Sequence, residues 1–340
     1  MDIYKTKVIT DKEIWEGFIL SQNPKSFLQS WNWGETNILL KKEVVRLGFY
    51  RKNTLVGAAQ IIFEKARRGW HFLIPGGPIL DWNDKGLGKF VTQSIKNLAK
   101  AKGAWFVRIR PELLEGPENK KRLRALGFIP APMHLHAENT WILDLTALPD
   151  KILSRMRKST RYSVRKSLGA GLVVEKTTDP KKSVVLYNLQ KETVRRLKFI
   201  GFSKKLFEAQ MEIFGKSKEA TLYICKKGKE AVVASLVIFY GKYAYYHQSA
   251  STSRFRELYP SYFVQWNIIL DAKKRGMTSY DMWGAAPKNR RKHRFFGPSL
   301  FKEGFGCDRV DYIHASDMII SPLYIFSYIF EILRRLIRNL

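Results

Sequence analysis

The feature that most constrains the fold of this chain is an internal repeat. Two segments, one in each half of the chain, read as a pair of strands joined by a polar turn. The predicted strands and turns are Val44–Tyr50, Arg51–Thr54 and Leu55–Phe63 in the first segment, and Ala220–Lys226, Lys227–Glu230 and Ala231–Tyr240 in the second. Each second strand contains a pair of small residues, Ala58 with Ala59 and Ala234 with Ser235.

The repeat continues beyond the two hairpins. A further extended segment follows each of them, 71–80 and 243–251, and then a helical stretch. Five residues recur at one spacing in the two helical stretches, namely Phe90, Val91, Ala99, Lys100 and Gly103 against Phe263, Val264, Ala272, Lys273 and Gly276. Each glycine suits a left-handed helix C-cap and precedes another strand. The simplest interpretation is a duplicated mixed α/β unit, with chance similarity between two ordinary segments as the alternative.

The length of the chain also favours two lobes. Its 340 residues exceed the roughly 100 to 200 residues that one domain usually contains. We place the boundary near Leu148–Asp150, after a predicted strand at Thr140–Leu145 and before a strongly basic helix. The predicted lobes are 1–149 and 150–320, and residues 321–340 form a C-terminal amphipathic basic helix.

Basic residues outnumber acidic residues by two to one. The chain has 60 Lys and Arg against 30 Asp and Glu, which gives a formal net charge of +30. A field of this strength attracts polyanions, so nucleic acid, anionic lipid headgroups and diphosphate-bearing substrates are the candidate partners. A surface tuned only for solubility is the alternative.

The sequence favours a reducing cytosol. Its two cysteines, Cys225 and Cys307, have neither a CxxC nor a Cys/His spacing, and Met1–Thr10 contains no apolar stretch typical of a secretion signal. No run of about 18 apolar residues occurs, so we predict no membrane-spanning helix.

Two basic segments are candidates for phosphate contacts. In the predicted helix 151–166, three arginines recur every four residues on one face, Arg157, Arg161 and Arg165, while Ile152, Met156, Thr160 and Val164 form another stripe. The second segment is a predicted loop that contains Lys288, Arg290, Arg291, Lys292, His293 and Arg294. A merely solvated basic surface is the alternative for the helix, and pinning of the loop to the core is favoured for the neighbouring Phe295 and Phe296.

Familiar catalytic motifs do not occur in the sequence. There is no GxSxG elbow, P-loop, HExxH or GxGxxG after a strand. His134 and His136, with Glu138, have a spacing that also suits alternate faces of an extended segment, and no further ligand is in view, so we predict no metal site.

The last segment, 321–340, is strongly apolar and ends with Arg334, Arg335 and Arg338. Ser321 is placed to cap a helix and Pro322 to open it. The segment is too short to span a bilayer. It either lies on the inner membrane surface or docks on the protein as a last helix, and docking is slightly favoured.

Seven stretches, in order along almost the whole chain, resemble the FemXAB family of peptidoglycan bridge-forming transferases, especially its shorter bacterial members. They are SFLQSWNWG from Ser26, IPGGPILD from Ile74, RIRPE from Arg108, MRKSTRYSVRK from Met156, YYHQSAS from Tyr245, YDMWGAAP from Tyr280 and LFKEGFG from Leu300. The resemblance implies two tandem GNAT-like (acetyltransferase-like) lobes. It also implies a short form without the coiled-coil arm of larger members, because residues 167–215 show no sustained heptads.

The resemblance implies the reaction as well. An amino group on the stem peptide of a peptidoglycan precursor attacks the ester carbonyl of an aminoacyl-tRNA, without a cofactor. The implied acceptor is lipid II or a UDP-MurNAc-pentapeptide type of precursor. The enzyme is expected to be cytoplasmic, with peripheral contact to the inner membrane surface left open.

The resemblance implies roles for a few site residues. Lys302 matches the lysine thought to stabilise the transition state or the leaving tRNA hydroxyl, and Trp105 and Tyr246 lie near positions with aromatic substrate contacts. The acid discussed as a general base is replaced by Arg110, so no base is carried over. The diphosphate-binding positions of the family fall at 35–37 and 201–203, which lack the expected basic residues, and Lys41, Lys42 or Arg161 are the predicted substitutes.

Two alternative functions remain. One is an acyl-CoA-dependent N-acyltransferase, although no Gly-rich Q/RxxGxG/A turn is found, and the other is a non-enzymatic RNA-binding protein.

Overall fold

A computed structural model describes residues 3–66, 69–197, 200–288, 292–293 and 295–338. It divides into two compact units, Met1–Glu138 with Asp311–Leu340, and Asn139–Val310. These bounds differ from the predicted lobes 1–149 and 150–320. The difference comes from two strands, Asn139–Asp144 and Ser316–Ile319. The first belongs to the sheet of the second unit and the second belongs to the sheet of the first unit, whereas their places in the chain predicted the reverse.

Before residue 138, the described residues of the first unit form seven strands and four helices. They are β1 (Tyr4–Val8), α1 (Lys12–Ser21), α2 (Trp31–Leu39), β2 (Glu43–Arg51), β3 (Thr54–Ala66), β4 (Gly69–Gly76), β5 (Ile79–Leu80), α3 (Lys85–Ala101), β6 (Phe106–Pro111), α4 (Pro117–Ala125) and β7 (Ile129–Pro130). Aspartates cap two of the helices: Asp11 accepts the Glu13 N–H at 2.7 Å before α1, and Asp84 accepts the Leu87 N–H at 2.9 Å before α3.

The second unit contains the elements from 139 to about 310. They are β8 (Asn139–Asp144), α5 (Pro149–Arg155), α6 (Lys158–Leu168), β9 (Leu172–Thr177), α7 (Ser183–Leu197), α8 (Lys204–Lys216), β10 (Ala220–Lys227), β11 (Glu230–Tyr240), β12 (Tyr243–Ser251), α9 (Pro260–Lys274), β13 (Ser279–Asp281), α10 (Phe296–Glu303) and β14 (Asp308–Asp311). Short 3-10 turns lie at Pro180–Lys182 and Arg256–Leu258. The chain then returns to the first unit with β15 (Ser316–Ile319) and α11 (Tyr324–Arg338).

The two sheets have equivalent strand orders. The first runs β1-β2-β3-β4-β6-β15-β7, with β5 paired to β3, and the second runs β9-β10-β11-β12-β13-β8-β14 in the same sense. In each sheet the strand after the crossover helix is parallel to its neighbour, β4 with β6 and β12 with β13. The strand that completes each sheet beside this parallel pair is antiparallel, β15 beside β6 and β8 beside β13. The predicted duplication of a mixed α/β unit is confirmed.

Local details repeat as well. Each hairpin has a register irregularity near its turn, between Phe49 and Tyr50 in the first unit and between Cys225 and Lys226 in the second. Such bulges bend the strand and increase its twist. Gly103 and Gly276 end the crossover helices with φ of +67° and +76°, a conformation that disfavours side chains with a Cβ.

Each sheet packs against its crossover helix through an apolar stripe. The residues of α3 that enter the first core are Leu87, Val91, Ile95 and Ala99, and those of α9 in the second include Val264, Ile268 and Ala272. Spacings of four residues place these side chains on one helix face. The pattern in the sequence therefore produces both the helix and its orientation.

Two expectations about the second unit are resolved by the structure. The predicted basic helix 151–166 is two helices, α5 and α6, separated by extended backbone at Met156 (ψ 148°) and Arg157 (ψ 142°). Its predicted apolar stripe is confirmed, because Ile152, Met156, Thr160 and Val164 are all buried. Between 167 and 215 the described residues form β9 and the helices α7 and α8, of 15 and 13 residues, rather than a long coiled coil.

Candidate functional site

The strongest candidate for a reactive group is Lys302, which lies on α10 in the second unit. Its Nζ donates to the carbonyl oxygens of Trp283 and Gly284, the latter at 2.7 Å. These two residues follow β13 with φ of +50° and +62°. The left-handed turn brings two successive carbonyls to the ammonium group. One of its three N–H groups then has no acceptor among the described residues.

The electrostatics of Lys302 combine burial with one nearby carboxylate. Burial lowers the pKa of Lys302 to about 8, and the charge of Asp281 opposes that shift. Asp281 is itself buried, and it accepts hydrogen bonds from the Thr140 hydroxyl and, at 2.7 Å, from the Trp283 N–H. The lysine is therefore mainly protonated at neutral pH, and its proton is more easily released than that of an exposed lysine.

Tyr246, a predicted substrate contact, lies beside Lys302. The Lys302 Nζ is 5.8 Å from the centroid of the Tyr246 ring. Burial raises the pKa of Tyr246, whose hydroxyl interacts with Ser249, Ser235 and Gln265. The structure thus brings together two residues that are 56 positions apart in the sequence. The role of Tyr246 in binding substrate stays a prediction.

A buried histidine adjoins the same turn. The His247 ring packs against Trp283 with centroids 5.2 Å apart, and its Nε2 is 2.9 Å from the Gln210 side-chain nitrogen. Burial lowers the pKa of His247 to about 3, so the ring is neutral at physiological pH. Sequence reasoning missed His247 and Asp281, although YYHQSAS and YDMWGAAP contain them.

Close packing holds α10 in place. A Cβ at Gly304 would lie 2.3 Å from the Thr160 Oγ1 and 2.7 Å from the Arg157 guanidinium, so α10 approaches α6 through glycine. The Arg157 N–H donates to the Gly304 carbonyl at 2.9 Å, and its guanidinium donates to the Leu300 carbonyl at 2.7 Å. Arg157, predicted to bind tRNA, therefore also anchors the helix that carries Lys302.

The other predicted tRNA contacts differ in their surroundings. Arg161 is half-buried and donates to the carbonyls of Ser154, at 2.8 Å, and Met156, at 3.3 Å. Arg165 and Lys292 are exposed. Arg290 and Arg291 lie outside the described residues, as does Arg294. All six assignments remain predictions.

In the first unit, the two lysines predicted to replace the diphosphate-binding residues differ in exposure and in ion pairing. Lys41 is exposed and has a φ of +65° just after α2, whereas Lys42 pairs with Glu64, which neutralises its charge. Trp105 precedes β6, and its backbone accepts the N–H groups of Ile320 and Ser321 at 2.9 and 3.0 Å. Trp105 therefore lies at the opposite end of β6 from Arg110, and its substrate contact stays a prediction.

A second titratable group lies at the C-terminal end of β6. Burial raises the pKa of Glu112 to about 7, although the charge of Arg110 and the N–H of Lys25, 2.5 Å away, favour the carboxylate. Arg110 is buried, with its guanidinium 5.5 Å from the centroid of the Tyr312 ring. Glu112 can thus exchange a proton near neutral pH. Sequence analysis did not identify Glu112 as a site residue, although Glu112 is the last residue of the RIRPE stretch.

The residues considered for a metal site have other partners. Glu138 is 2.8 Å from the His314 Nδ1 and accepts the Ala315 N–H at 3.0 Å, and the His136 ring packs at 5.8 Å from Trp33. Burial lowers the pKa of His134. In the described part of the chain, no three His, Cys, Asp or Glu side chains form a group that could hold a metal ion. Nor is any described helix long and apolar enough to cross a membrane.

Known proteins match this architecture. The sequence profile of the FemAB family matches residues 9–124 and 216–331. The lipid II:glycine glycyltransferase of Staphylococcus aureus is 22% identical, over 93% of this chain and 93% of that protein. The crystal structure of FemX has a TM-score of 0.83 at 21% identity and covers 94% of this chain and 99% of that one. A tandem GNAT protein from the clavulanic acid biosynthesis pathway has a TM-score of 0.61 at 11% identity, with 94% and 99% covered. The predicted fold of two tandem GNAT-like units is confirmed.

Proposed function

The chain belongs to the FemAB family, and we propose that it is an aminoacyltransferase that adds an amino acid to the stem peptide of a peptidoglycan precursor. The donor in this proposal is aminoacyl-tRNA. The observation that carries the proposal is the environment of Lys302, a buried ammonium with a lowered pKa, one N–H group available and an adjacent carboxylate. Lys302 lies within the second segment that the family profile matches.

The chemistry requires little covalent help from the protein. The neutral amine of the stem peptide attacks the ester carbonyl carbon, the new C–N bond forms, and the bond from that carbon to the ribose oxygen breaks. The proton lost by the amine ends on the ribose hydroxyl, so the reaction balances without a cofactor. Positioning of the amine and stabilisation of the oxyanion are the tasks left to the enzyme.

Lys302 suits the second task. Its ammonium offers an N–H group to the developing oxyanion or to the leaving ribose oxygen. Asp281 keeps it charged despite burial, because the negative charge favours the protonated form. Removing one donor from an oxyanion site typically slows turnover by about 10² to 10³.

The proposed tRNA donor is supported by charge. The chain carries a net charge of +30, and α6 presents exposed Arg165 with half-buried Arg161 one turn earlier. Such a helix face suits phosphate groups. Arg157, at the start of the same helix, donates to the α10 backbone, and this would link a bound donor to the position of Lys302.

The proposed acceptor is a lipid II-type precursor, in line with the name of the staphylococcal relative. A soluble precursor of the UDP-MurNAc-pentapeptide type is the alternative acceptor. With a lipid-linked acceptor the enzyme works at the inner face of the membrane, so we include peripheral membrane contact in the proposal.

A transfer assay tests the function. The protein is incubated with a mixture of charged tRNAs and either a lipid-linked or a nucleotide-linked precursor, and the product is analysed by mass spectrometry. We expect a mass gain of one or more aminoacyl residues that disappears after ribonuclease treatment. Activity that survives ribonuclease with a CoA thioester as the sole acyl source would instead identify an acyl-CoA-dependent N-acyltransferase. Binding of tRNA without any transfer would favour the RNA-binding alternative.

A further inference from the structure

The C-terminal helix α11 packs on the first unit through its polar side. Tyr324, Ser327 and Glu331 are buried there, with Glu331 only 1% exposed. The guanidinium of Arg108 donates to the Glu331 and Asp317 carboxylates, at 2.7 Å in both cases. The Tyr324 hydroxyl also donates to Asp317, at 2.8 Å. A buried ion-pair cluster therefore fixes which side of the helix faces inward.

The outer side of α11 is apolar. Seven large side chains, which recur at intervals of one, three or four residues, are between 50% and 84% exposed: Ile325, Phe326, Ile329, Phe330, Leu333, Leu336 and Ile337. Leu323, just before the helix, is 44% exposed. The helix is thus inverted relative to an ordinary surface helix, whose apolar stripe faces the core. A contiguous apolar face of this kind marks an interaction surface.

Charge indicates what covers this face. Glu331 is the single acid of α11, and it is buried against Arg108, so the exposed side presents no negative charge. Arg334 and Arg335 lie near the end of the helix, and Arg335 donates to the Pro132 carbonyl at 3.3 Å. The side chain of Arg338 lies outside the described residues. An apolar helix face with arginines at its end, on a protein of net charge +30, complements an anionic bilayer.

The same charge disfavours a second copy of this chain as the occupant. Two molecules of net charge +30 repel each other, and pairing two α11 faces would bring their arginines together. An anionic lipid surface turns that charge into an attraction.

We propose that α11 is a membrane-binding helix whose apolar face inserts into the interfacial layer of an anionic bilayer, while the Arg108 cluster holds its polar face on the first unit. The biological purpose, access to a lipid-linked acceptor, rests on the proposed function. The binding itself does not, because it follows from the helix surface alone. The sequence left membrane binding and docking on the protein as alternatives for residues 321–340, and in this arrangement the helix does both.

Vesicle flotation of the full-length protein tests the proposal. The vesicles contain phosphatidylcholine with or without phosphatidylglycerol. We expect binding that requires phosphatidylglycerol, and a decrease of about tenfold or more in the partition coefficient for the double variant Phe326→Ser with Phe330→Ser. The matched control, Leu168→Ser with Val173→Ser, removes two apolar side chains of 55% and 64% exposure from the second unit and should bind like the wild type. Equal thermal denaturation midpoints show that both variants are folded.

Three results would overturn the proposal: no binding of the wild type to either vesicle, unchanged binding of the Phe326/Phe330 variant, or a wild-type dimer that this variant converts to monomer without any vesicle binding. A transfer assay separates this proposal from the proposed function. The variant should match the wild type on a nucleotide-linked acceptor and be slower only on a lipid-linked acceptor in vesicles. Absence of transfer by both proteins on every acceptor would count against the proposed function alone, and flotation would still decide the role of α11.

Discussion

The two units place a buried charged residue at equivalent positions of equivalent strands, but the two charges have different roles. Arg108 on β6 lies five residues after Gly103, and Asp281 on β13 lies five residues after Gly276. Both side chains are buried, with 3% and 2% exposure. Arg108 pairs with two carboxylates, Asp317 and Glu331, which together hold its pKa above the usual value against the effect of burial. Its charge is fully neutralised within the first unit.

Asp281 has a different set of partners. It accepts hydrogen bonds from the Thr140 hydroxyl and the Trp283 N–H, and its negative charge raises the pKa of Lys302 against the effect of burial. The comparison shows that the duplicated fold conserves a buried charged position, while the neighbouring residues decide its use. In the first unit the charge stabilises packing of the C-terminal segment, and in the second it tunes a candidate catalytic group.

The largest expected effect sharpens this contrast at Lys302. Lys302→Ala should lower turnover by about 10² to 10³, equivalent to ~3 to 4 kcal/mol, because it removes the proposed oxyanion donor. The control is Lys242→Ala, which removes an exposed lysine of the same unit. Single-turnover transfer and thermal denaturation are measured on both variants. A folded Lys302→Ala variant with near-normal turnover would remove Lys302 from the mechanism.

The equivalent change in the first unit should act on stability instead. Arg108→Met leaves two buried carboxylates without their cation, and we expect a loss of about 3 to 5 kcal/mol in the free energy of unfolding. Arg51→Met serves as the control, because Arg51 pairs with Asp84 at the surface and should cost far less. Urea denaturation measures both. Turnover of the folded Arg108→Met protein on a soluble acceptor should match the wild type, and a loss as large as that of Lys302→Ala would break the contrast.

The pH dependence should report the lowered pKa of Lys302. If the protonated lysine is the donor, turnover falls as the pH rises through about 8, the value to which burial lowers its pKa. Asp281→Asn removes the charge that opposes this shift, so the alkaline limb should move to lower pH. A limb that stays in place in Asp281→Asn would show that another group controls it.

The same shift predicts a change in stability with a definite sign. Between about pH 8 and the ordinary lysine value of 10.5, the unfolded chain binds more protons than the folded one at Lys302. The contribution of Lys302 to the free energy of unfolding therefore rises with pH in this window. Urea denaturation of wild type and Lys302→Met at both ends of the window measures it, and an identical pH dependence of the two proteins would contradict the assignment.

The smallest expected effect concerns donor binding. Arg161→Gln with Arg165→Gln should raise the Michaelis constant for charged tRNA more than that for the acceptor, and flatten the salt dependence by roughly 0.7 to 0.9 unit per lost phosphate contact. Arg157 is left intact because it anchors α10. The matched control in the first unit is Lys85→Gln with Lys89→Gln, an exposed pair with the same spacing on α3. Equal effects of the two pairs would mean that only net charge matters.

Most of the fold was predictable because its signals are local or periodic. The hairpins, the apolar stripes and the glycine at the end of each crossover helix are encoded within short stretches, and the described elements fall where these signals lie. The bounds of the units were not predictable in this way. They depend on which sheet β8 and β15 join. Each of these strands pairs with a strand more than 100 residues away in the sequence, β8 with β13, where Ile142 faces Asp281, and β15 with β6.

The candidate site divides similarly. The sequence by itself determined the duplicated architecture, the basic surface, the apolar character of 321–340 and, through LFKEGFG, the choice of Lys302. Only the tertiary structure decided that Lys302 faces two carbonyls beside Asp281, and that α11 turns Glu331 inward and its apolar side outward. The physical reason is that a pKa and the orientation of a helix depend on burial and on charges contributed by distant segments. Local patterns in a sequence fix neither of these.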